Sequence, residues 1–157
     1  MTTISAPELP SPMALPHSGL PSQPRVAHTA RFAGRLLRSS VAVISAEGDI
    51  DASNADDLTE YTLGRVTGYR GLVLDLSGLD FFGADGFSAL HRISVNCARV
   101  GTGWAIVPGA AVSRVLRICD PQGSLPLAGT VEAALGTVAD QLRRPPQLVA
   151  VLTNTGG

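Results

Sequence analysis

The sequence of 157 residues contains no lysine, since all 12 of its basic residues are arginines. This absence excludes the classes of protein whose chemistry needs a side-chain amine: P-loop nucleotidases, Schiff-base enzymes and phospho-acceptor receiver domains. The 13 acidic residues balance the arginines and leave a net charge of -1 at pH 7. A chain without net positive charge has no general electrostatic attraction for a nucleic acid backbone or an acidic membrane surface. We therefore expect neither as a partner.

Cysteine and aromatic residues are also scarce. The two cysteines, Cys97 and Cys119, are too few for a disulfide framework or a four-ligand metal site. Both fall on predicted apolar helix faces, which favours buried structural roles over a redox pair. Because only 4% of the residues are aromatic, the core must consist of aliphatic side chains. The sequence shows no secretory leader and nothing near the roughly 20 apolar residues that span a bilayer, so we expect a reduced, cytoplasmic protein.

Proline divides the chain into three parts. Six of the eleven prolines lie in residues 1–28, together with Ser, Thr and Gly and without a helical or strand period, which indicates a disordered tail. Residues 29–144 carry the periodic patterns of one folded domain, since a chain of this length supports a single hydrophobic core. Residues 145–157 begin with a Pro-Pro pair and form a C-terminal tail whose structure the sequence leaves open.

Within the domain, predicted strands alternate with predicted helices. Two apolar runs on either side of residues 38–40 predict an antiparallel hairpin, and the continuous run Gly71–Leu76 predicts a strand buried on both faces of a parallel sheet. Residues 104–107 and 125–127 predict shorter strands. Apolar residues at steps of three and four predict helices over about 53–66, 86–100, 112–119 and 131–142. The pattern predicts an α/β fold: a mixed, mostly parallel sheet of about five strands, with an antiparallel N-terminal edge strand and about four helices.

Polar residues mark the points where three of these helices should begin. Ser53 and Asn54 can cap the first helix and Thr130 the last, because their side-chain oxygens can accept hydrogen bonds from free backbone amides. Asp85 stands where the second helix should begin, directly after the buried strand, and its carboxylate can accept from amides of the first turn. On chemistry alone, Asp85 is most simply a structural cap. The same edge of an open α/β sheet also collects binding residues, so a functional role stays open.

No catalytic or metal-binding set stands out. His91 lies beside Arg92 on a polar helix face, and no cysteine or second histidine stands at metal-ligand spacing from it. The nucleophile motif GxSxG is absent, and the glycines at positions 101 and 103 lead into a strand rather than forming a phosphate cradle. We expect a non-enzymatic protein with no metal and no cofactor.

Two motifs of the chain resemble those of the STAS domain family, whose best-known soluble members are bacterial anti-sigma factor antagonists. The first is similar to the family's Gly-x-(Leu or Ile)-Asp before the first helix. The second resembles a strand ending in Asp-Leu-Ser, two hydrophobic positions, and Asp-Ser-Ser-Gly at the start of the second helix. The matching residues are Gly48, Ile50 and Asp51 for the first motif, and Asp75, Leu76, Ser77, Phe81, Phe82 and Gly86 for the second. The resemblance covers about Arg31 to Leu142 and implies a STAS-like fold.

The second motif departs from the family pattern at one informative place. Where the family carries Asp-Ser-Ser, this chain has Gly83, Ala84 and Asp85, so the serine that an anti-sigma factor kinase would phosphorylate aligns with Asp85. A phosphoserine carries a charge of about -1.5 to -2, whereas a carboxylate carries about -1. The resemblance thus implies a permanent, partial imitation of the phosphorylated state. Such a domain either binds its partner poorly or faces a partner adapted to the charge, and in neither case does the usual phosphorylation switch operate at this position.

The resemblance implies a transcription regulator that binds an anti-sigma factor with a kinase-like ATP fold and so frees a sigma factor. The predicted docking surface joins the turn from residue 79 to 86, the start of the second helix and the loop from 48 to 53. Its residues are Asp51, Ser53, Phe81, Phe82, Gly83, Ala84, Asp85, Gly86 and Ser88. We expect one of the two phenylalanines to enter the core and the other to lie outside. Two alternatives are a small-ligand or nucleotide-binding STAS domain, which the charge of Asp85 disfavours, and a STAS subunit of a membrane transport complex.

Overall fold

The computed structural model of the chain describes residues 22–37, 40–66 and 68–143, which form five strands and four helices. The strands are β1 (Ser22–Ala27), β2 (Ala30–Leu37), β3 (Val41–Ile50), β4 (Gly71–Phe82) and β5 (Gly103–Val107). The helices are α1 (Ala55–Val66), α2 (Ala84–Val100), α3 (Gly109–Cys119) and α4 (Val131–Arg143).

The strands form one sheet in the order β1-β2-β3-β4-β5. β1 pairs with β2 and β2 with β3 in antiparallel fashion, whereas β3, β4 and β5 run parallel. Helices α1 and α2 make the two crossovers between the parallel strands, as βαβ units require. The predicted mixed sheet, its hairpin and its helices are confirmed. The antiparallel part contains two strand pairs, since β1 adds an edge strand that the sequence pattern did not predict.

The N-terminal strand corrects the predicted extent of the disordered tail. That tail was expected to reach residue 28, but Ser22–Ala27 pairs with β2. A tight turn connects the two strands, and His28 in this turn adopts a positive φ of 58°. Pro24 lies in β1 where the pairing register shifts between Ser22 and Arg25, a position where a sheet edge tolerates proline. Residues 1–21 and the predicted C-terminal tail, 145–157, lie outside the described residues.

Both faces of the sheet are covered, and the alternation of side chains along each strand divides the core in two. Leu72, Leu74 and Leu76 of β4 point into the cluster formed with α1, α2 and α3. Val73, between them, points into the opposite cluster, where Val138 of α4 packs. A strand with helices on both faces must be apolar at every position, which is the reason for the continuous apolar run that opens β4.

β4 continues beyond the predicted strand. The sequence pattern predicted a turn after Leu76, but the strand extends to Phe82 because its second half pairs with the second half of β3. The paired positions run from Glu47 opposite Gly78 to Ile50 opposite Phe82, with one register irregularity between Gly48 and Asp49 and another just before this stretch, between Ser45 and Glu47. Most of the predicted turn is therefore strand, and α2 follows it directly.

Three predictions near the ends of elements are wrong. Val100, the last apolar residue in the spacing that predicted the second helix, and Cys119 are exposed rather than part of the buried stripes, because each is the last residue of its helix. Leu125–Leu127 does not form a strand and makes a single bridge between Leu127 and Ile106. The predicted cap of α4 is confirmed, since the hydroxyl oxygen of Thr130 accepts a hydrogen bond from the amide of Ala133 at 3.0 Å.

Candidate docking surface

The start of α2 is built on a close contact between a glycine and an aromatic ring. A Cβ atom on Gly86 would lie 2.5 Å from Cε1 of Phe82, so only glycine lets the first turn of α2 approach this ring. Gly83 occupies the position before the helix, and its amide donates to the carbonyl oxygen of Ile50 at 2.9 Å. That bond joins the ends of β3 and β4, which brings the two predicted motif loops side by side.

Asp85 lies in the first turn of α2 and is exposed. Its predicted role as the helix cap is wrong, because α2 already includes Ala84, the residue before Asp85. Gly83 takes the cap position and makes no side-chain hydrogen bond there. Within the described residues, the Asp85 carboxylate makes no hydrogen bond or ion pair with the chain. The positive end of the helix dipole still stabilises a negative charge there. The result is an exposed carboxylate in the first turn of α2 that is available to contact another molecule.

The two phenylalanines separate as expected. Phe82 is 3% exposed and belongs to the core, whereas Phe81 is 51% exposed. The Phe81 ring lies beside the backbone of Gly83, where an added Cβ would be 3.4 Å from its Cε2. An aromatic ring with half its surface in water is an unusual feature in a chain with so few aromatics, and Phe81 lies four residues before Asp85, at the same end of the sheet.

The loop after β3 is ordered by hydrogen bonds to Asp51. Its Oδ1 accepts from the hydroxyl of Ser53 at 2.6 Å and from the amide of Ser53 at 2.8 Å. These bonds favour the ionised form, the hydroxyl bond most strongly, and they lower the pKa of Asp51 below its ordinary value. Ser53 is exposed and Asp51 half-buried, so this side of the surface is polar and acidic.

Asn54 holds this corner of the fold together, a role that sequence reasoning missed. Its side chain is fully buried; the Oδ1 accepts from the amide of Asp51 at 2.9 Å, and the Nδ2 donates to the carbonyl oxygens of Ala27 and Asp49 at 3.0 and 2.9 Å. The side chain thus ties β1, the end of β3 and the start of α1 to one another instead of capping the amides ahead of it. The sequence identified the residue as a helix-start signal, but these partners become neighbours only in the folded sheet.

Two arginines, also missed from sequence, neutralise the acidic first turn of α1. Arg25 of β1 binds Asp57 at 2.7 Å, and Arg92 of α2 binds Asp56 at 2.6 Å. Both pairs are at least partly exposed, so each contributes up to about 1 kcal/mol. These pairs matter more for the charge of the surface than for stability. They neutralise Asp56 and Asp57, whereas Asp85 at the start of α2 has no ion-pair partner among the described residues.

The structure brings the predicted docking residues together in one region but divides them by exposure. Ser53, Phe81, Ala84, Asp85 and Ser88 are exposed; Asp51 and Gly83 are half-buried; Phe82 and Gly86 are buried. The buried two shape the surface and cannot themselves touch a partner through side chains. The described part of the chain contains no group of His, Cys, Asp and Glu side chains that could hold a metal ion. None of its helices is long and apolar enough to cross a bilayer.

Comparisons with known proteins identify the family. Residues 37–134 match the family model of the STAS domain, and the chain belongs to this family. Osmosensory protein A of Mycobacterium tuberculosis is 34% identical over 120 residues, which cover 74% of this chain and 76% of that protein. The anti-sigma-F factor antagonist RsfA of the same species is 34% identical over 100 residues, 61% of this chain and 78% of RsfA. The crystal structure of an anti-sigma factor antagonist from Mycobacterium paratuberculosis superposes with a TM-score of 0.64 at 27% identity, covering 71% of this chain and 95% of that one.

Proposed function

We propose that this STAS domain is a non-enzymatic regulator that docks onto an anti-sigma factor with a kinase-like ATP fold and thereby frees a sigma factor for transcription. Two similar proteins are named anti-sigma factor antagonists, which supports this class of partner. A partner of this kind places the chain in the cytoplasm. The docking surface is formed by Ser53, Phe81, Ala84, Asp85 and Ser88, all exposed at one end of the sheet.

The observation that carries the proposal is the exposed pair of Phe81 and Asp85 beside the first turn of α2. Protein interfaces concentrate their binding energy in a few aromatic and charged anchors, and an aromatic ring half in water is ready to be buried by a partner. Asp85 adds a fixed negative charge at its edge. Because the chain itself leaves this carboxylate without a hydrogen bond among the described residues, a cation on the partner is the group that complements it.

Asp85 also makes the regulator constitutive. A kinase that phosphorylates a serine hydroxyl has no acceptor at position 85, so the docking surface keeps its charge in every state of the cell. The charge of about -1 lies between those of a serine and a phosphoserine. Of the two consequences that the sequence left open, we propose the second: the partner surface is adapted to the carboxylate, and this chain binds without a dephosphorylation step.

Calorimetric titration of the purified chain against purified anti-sigma factors of the source organism tests the proposal. Phe81→Ala should weaken binding by about 2 kcal/mol or more, as the loss of an aromatic anchor does. Asp85→Ala should weaken it as well, whereas Glu132→Ala, which removes another exposed acid, on α4, should have no effect. Tighter binding by Asp85→Ala than by wild type would mean that the carboxylate inhibits docking.

A phosphorylation assay separates the role of the charge from that of the surface. Wild type should take up no phosphate at position 85 from the anti-sigma factor and ATP, whereas Asp85→Ser should become a substrate if the surrounding residues still present the site. Equal affinities of the wild type, Asp85→Ser and Asp85→Ala would contradict any role for the carboxylate while leaving the docking surface itself intact.

A further inference from the structure

A polar pocket of about 330 Å³, here called the hairpin pocket, lies between the turn that joins β1 to β2 and the adjoining parts of β3 and β4. Its lining includes Val26, His28, Arg31, Glu47 and Asp80. The pocket adjoins the docking surface, because its lining also includes residue 48, where the loop 48–53 begins, and because residue 80 directly precedes residue 81. Its volume is at the lower end of the range for ligand pockets, which suits a single long side chain.

The turn that forms one wall of the hairpin pocket is fixed against the end of β3. The amide of Asp49 donates to the carbonyl oxygen of Thr29 at 3.3 Å, and the buried side chain of Asn54 donates to the carbonyl oxygen of Ala27 at 3.0 Å. Gly48, with a φ of 95°, lets the turn approach, since an added Cβ would lie 2.1 Å from the carbonyl oxygen of Thr29. The wall is therefore in place before anything binds, which lowers the entropic cost of binding.

Gly78 keeps the hairpin pocket open on the side of β4. It is an exposed strand residue that pairs with Glu47 in the register of β3 and β4. Its φ is not positive, so the backbone conformation does not require a glycine there. A Cβ at this position would lie 3.1 Å from Cγ of Glu47, and a longer side chain would enter the pocket. The space beside the Glu47 carboxylate thus depends on the missing side chain of Gly78.

The charged residues of the lining leave the hairpin pocket negative. Arg31 and Glu47 form an ion pair at 3.9 Å and offset one another. Asp80 is exposed and forms no ion pair within the part of the chain that the structure describes. With His28 counted as neutral at pH 7, the lining carries one negative charge that no arginine balances. A cation is therefore favoured in this pocket, and a phosphate is disfavoured.

The rim of the hairpin pocket adds an apolar contact. The side chain of Val26 is 72% exposed there. Long basic side chains place their aliphatic stem along apolar surface and their charged head in a polar environment, so they match a site that combines Val26 with Asp80 and Glu47. Arginine matches it better than lysine, because the several N–H donors of its planar guanidinium can bind two carboxylates at once.

We propose that the hairpin pocket receives an arginine side chain of the anti-sigma factor, with the stem against Val26 and the guanidinium at Asp80 and Glu47. The identity of the partner rests on the proposed function. The arginine would be a second contact beside Phe81 and Asp85, and two separate contacts fix the orientation of a partner on the docking surface.

An NMR titration tests the pocket without the partner. The probe is N-acetylargininamide, and its matched control is N-acetylcitrullinamide, which has nearly the same shape and no charge. Added to the isotope-labelled full chain, the arginine probe should shift the amide signals of Gly48, Gly78 and Asp80 with a Kd of millimolar order, and the citrulline probe should not. The absence of localised shifts up to about 0.1 M arginine probe overturns the proposal, and so do equal shifts with both probes.

Two variants show whether the probe occupies the hairpin pocket. Asp80→Asn removes the unbalanced charge and keeps the shape, so it should lower the affinity for the arginine probe about 3- to 10-fold. Gly78→Val fills the pocket with a side chain that strands accept, and it should abolish the shifts. Glu132→Gln, which neutralises an exposed acid on α4, should bind the probe like wild type. Melting curves by circular dichroism show whether each variant is folded. Equal affinities of wild type and Asp80→Asn overturn the proposal whatever Gly78→Val does.

Calorimetry with purified anti-sigma factors separates this proposal from the proposed function. Asp80→Asn should weaken binding at least about 3-fold, and added salt should reduce the difference because the contact is electrostatic. If Phe81→Ala loses binding while Asp80→Asn and Gly78→Val bind like wild type, the docking surface stands and the hairpin pocket is no part of it. If no anti-sigma factor binds while the arginine probe occupies the pocket, the pocket stands as a site for basic side chains and the proposed function fails.

Discussion

The ring of Phe82 lies against the backbone of Gly86, so closely that a side chain at position 86 would begin 2.5 Å from the ring. Phe82 is almost fully buried and cannot swing out of the way. This contact sets where α2 starts relative to β4, and the start of α2 presents Asp85. The position of the proposed docking surface thus depends on residue 86 being a glycine, which has no side chain.

Gly86→Ala should destabilise the fold by about 1–3 kcal/mol, since the added methyl overpacks a core that has no room for it. Urea denaturation measures the change. Gly136→Ala is the matched control, because a Cβ at that position of α4 meets nothing within 4 Å. That substitution should be neutral or stabilising by up to about 1 kcal/mol. Equal effects of the two substitutions would contradict the ring contact.

Asn54→Ala should cost more than an ordinary polar substitution. It removes three hydrogen bonds and leaves the carbonyl oxygens of Ala27 and Asp49 without this donor. With a net value near 1 kcal/mol for each bond, we expect a loss of about 2–3 kcal/mol in the free energy of unfolding. Asn96→Ala on α2 is the control. Because Asn54 ties β1 to the rest of the sheet, hydrogen exchange of the β1 amides should accelerate in Asn54→Ala and stay unchanged in Asn96→Ala.

The depressed pKa of Asp51 predicts a pH dependence with a definite sign. Hydrogen bonds from Ser53 hold the folded-state pKa below the unfolded value, so the stabilisation is complete above the unfolded pKa and is lost as the pH falls through the folded one. An NMR titration of the carboxyl groups should show Asp51 ionising at lower pH in wild type than in Ser53→Ala. Asp120, whose pKa is lowered by Ser124, should be unaffected by that substitution and serves as an internal control. An unchanged Asp51 titration in Ser53→Ala would show that the hydroxyl has no such effect.

The two cysteines should differ sharply in reactivity. Cys97 is buried in α2, and burial raises the pKa of its thiol to about 11, so little reactive thiolate forms near neutral pH. Cys119 is exposed at the end of α3. Native protein treated with iodoacetamide should be alkylated at Cys119 alone, and at both positions after unfolding in urea. A Cys119→Ser variant that still reacts rapidly in its native state would disprove the burial of Cys97.

The local signals in the sequence proved sufficient for most elements. Apolar runs and periodicity located the hairpin, the buried half of β4 and the helical stripe of α4, and Thr130 was identified as the cap that it is. These features depend on residues near one another in the chain, so the local sequence pattern is enough to predict them. β1 was missed for the opposite reason: its six residues, with a proline among them, form a strand because β2 offers an edge.

At the candidate site, the sequence by itself determined that an acid stands where the family carries a serine, next to two phenylalanines at the end of a buried strand. Only the tertiary structure decided that Phe82 is buried and Phe81 exposed, that Asp85 follows the cap position rather than filling it, and that Asn54 binds three segments at once. Exposure and hydrogen-bond partners are set by segments distant in sequence that meet only when the sheet is complete. The sequence therefore states which chemical group stands at each position, whereas the contacts and the exposure of that group depend on how the rest of the chain packs around it.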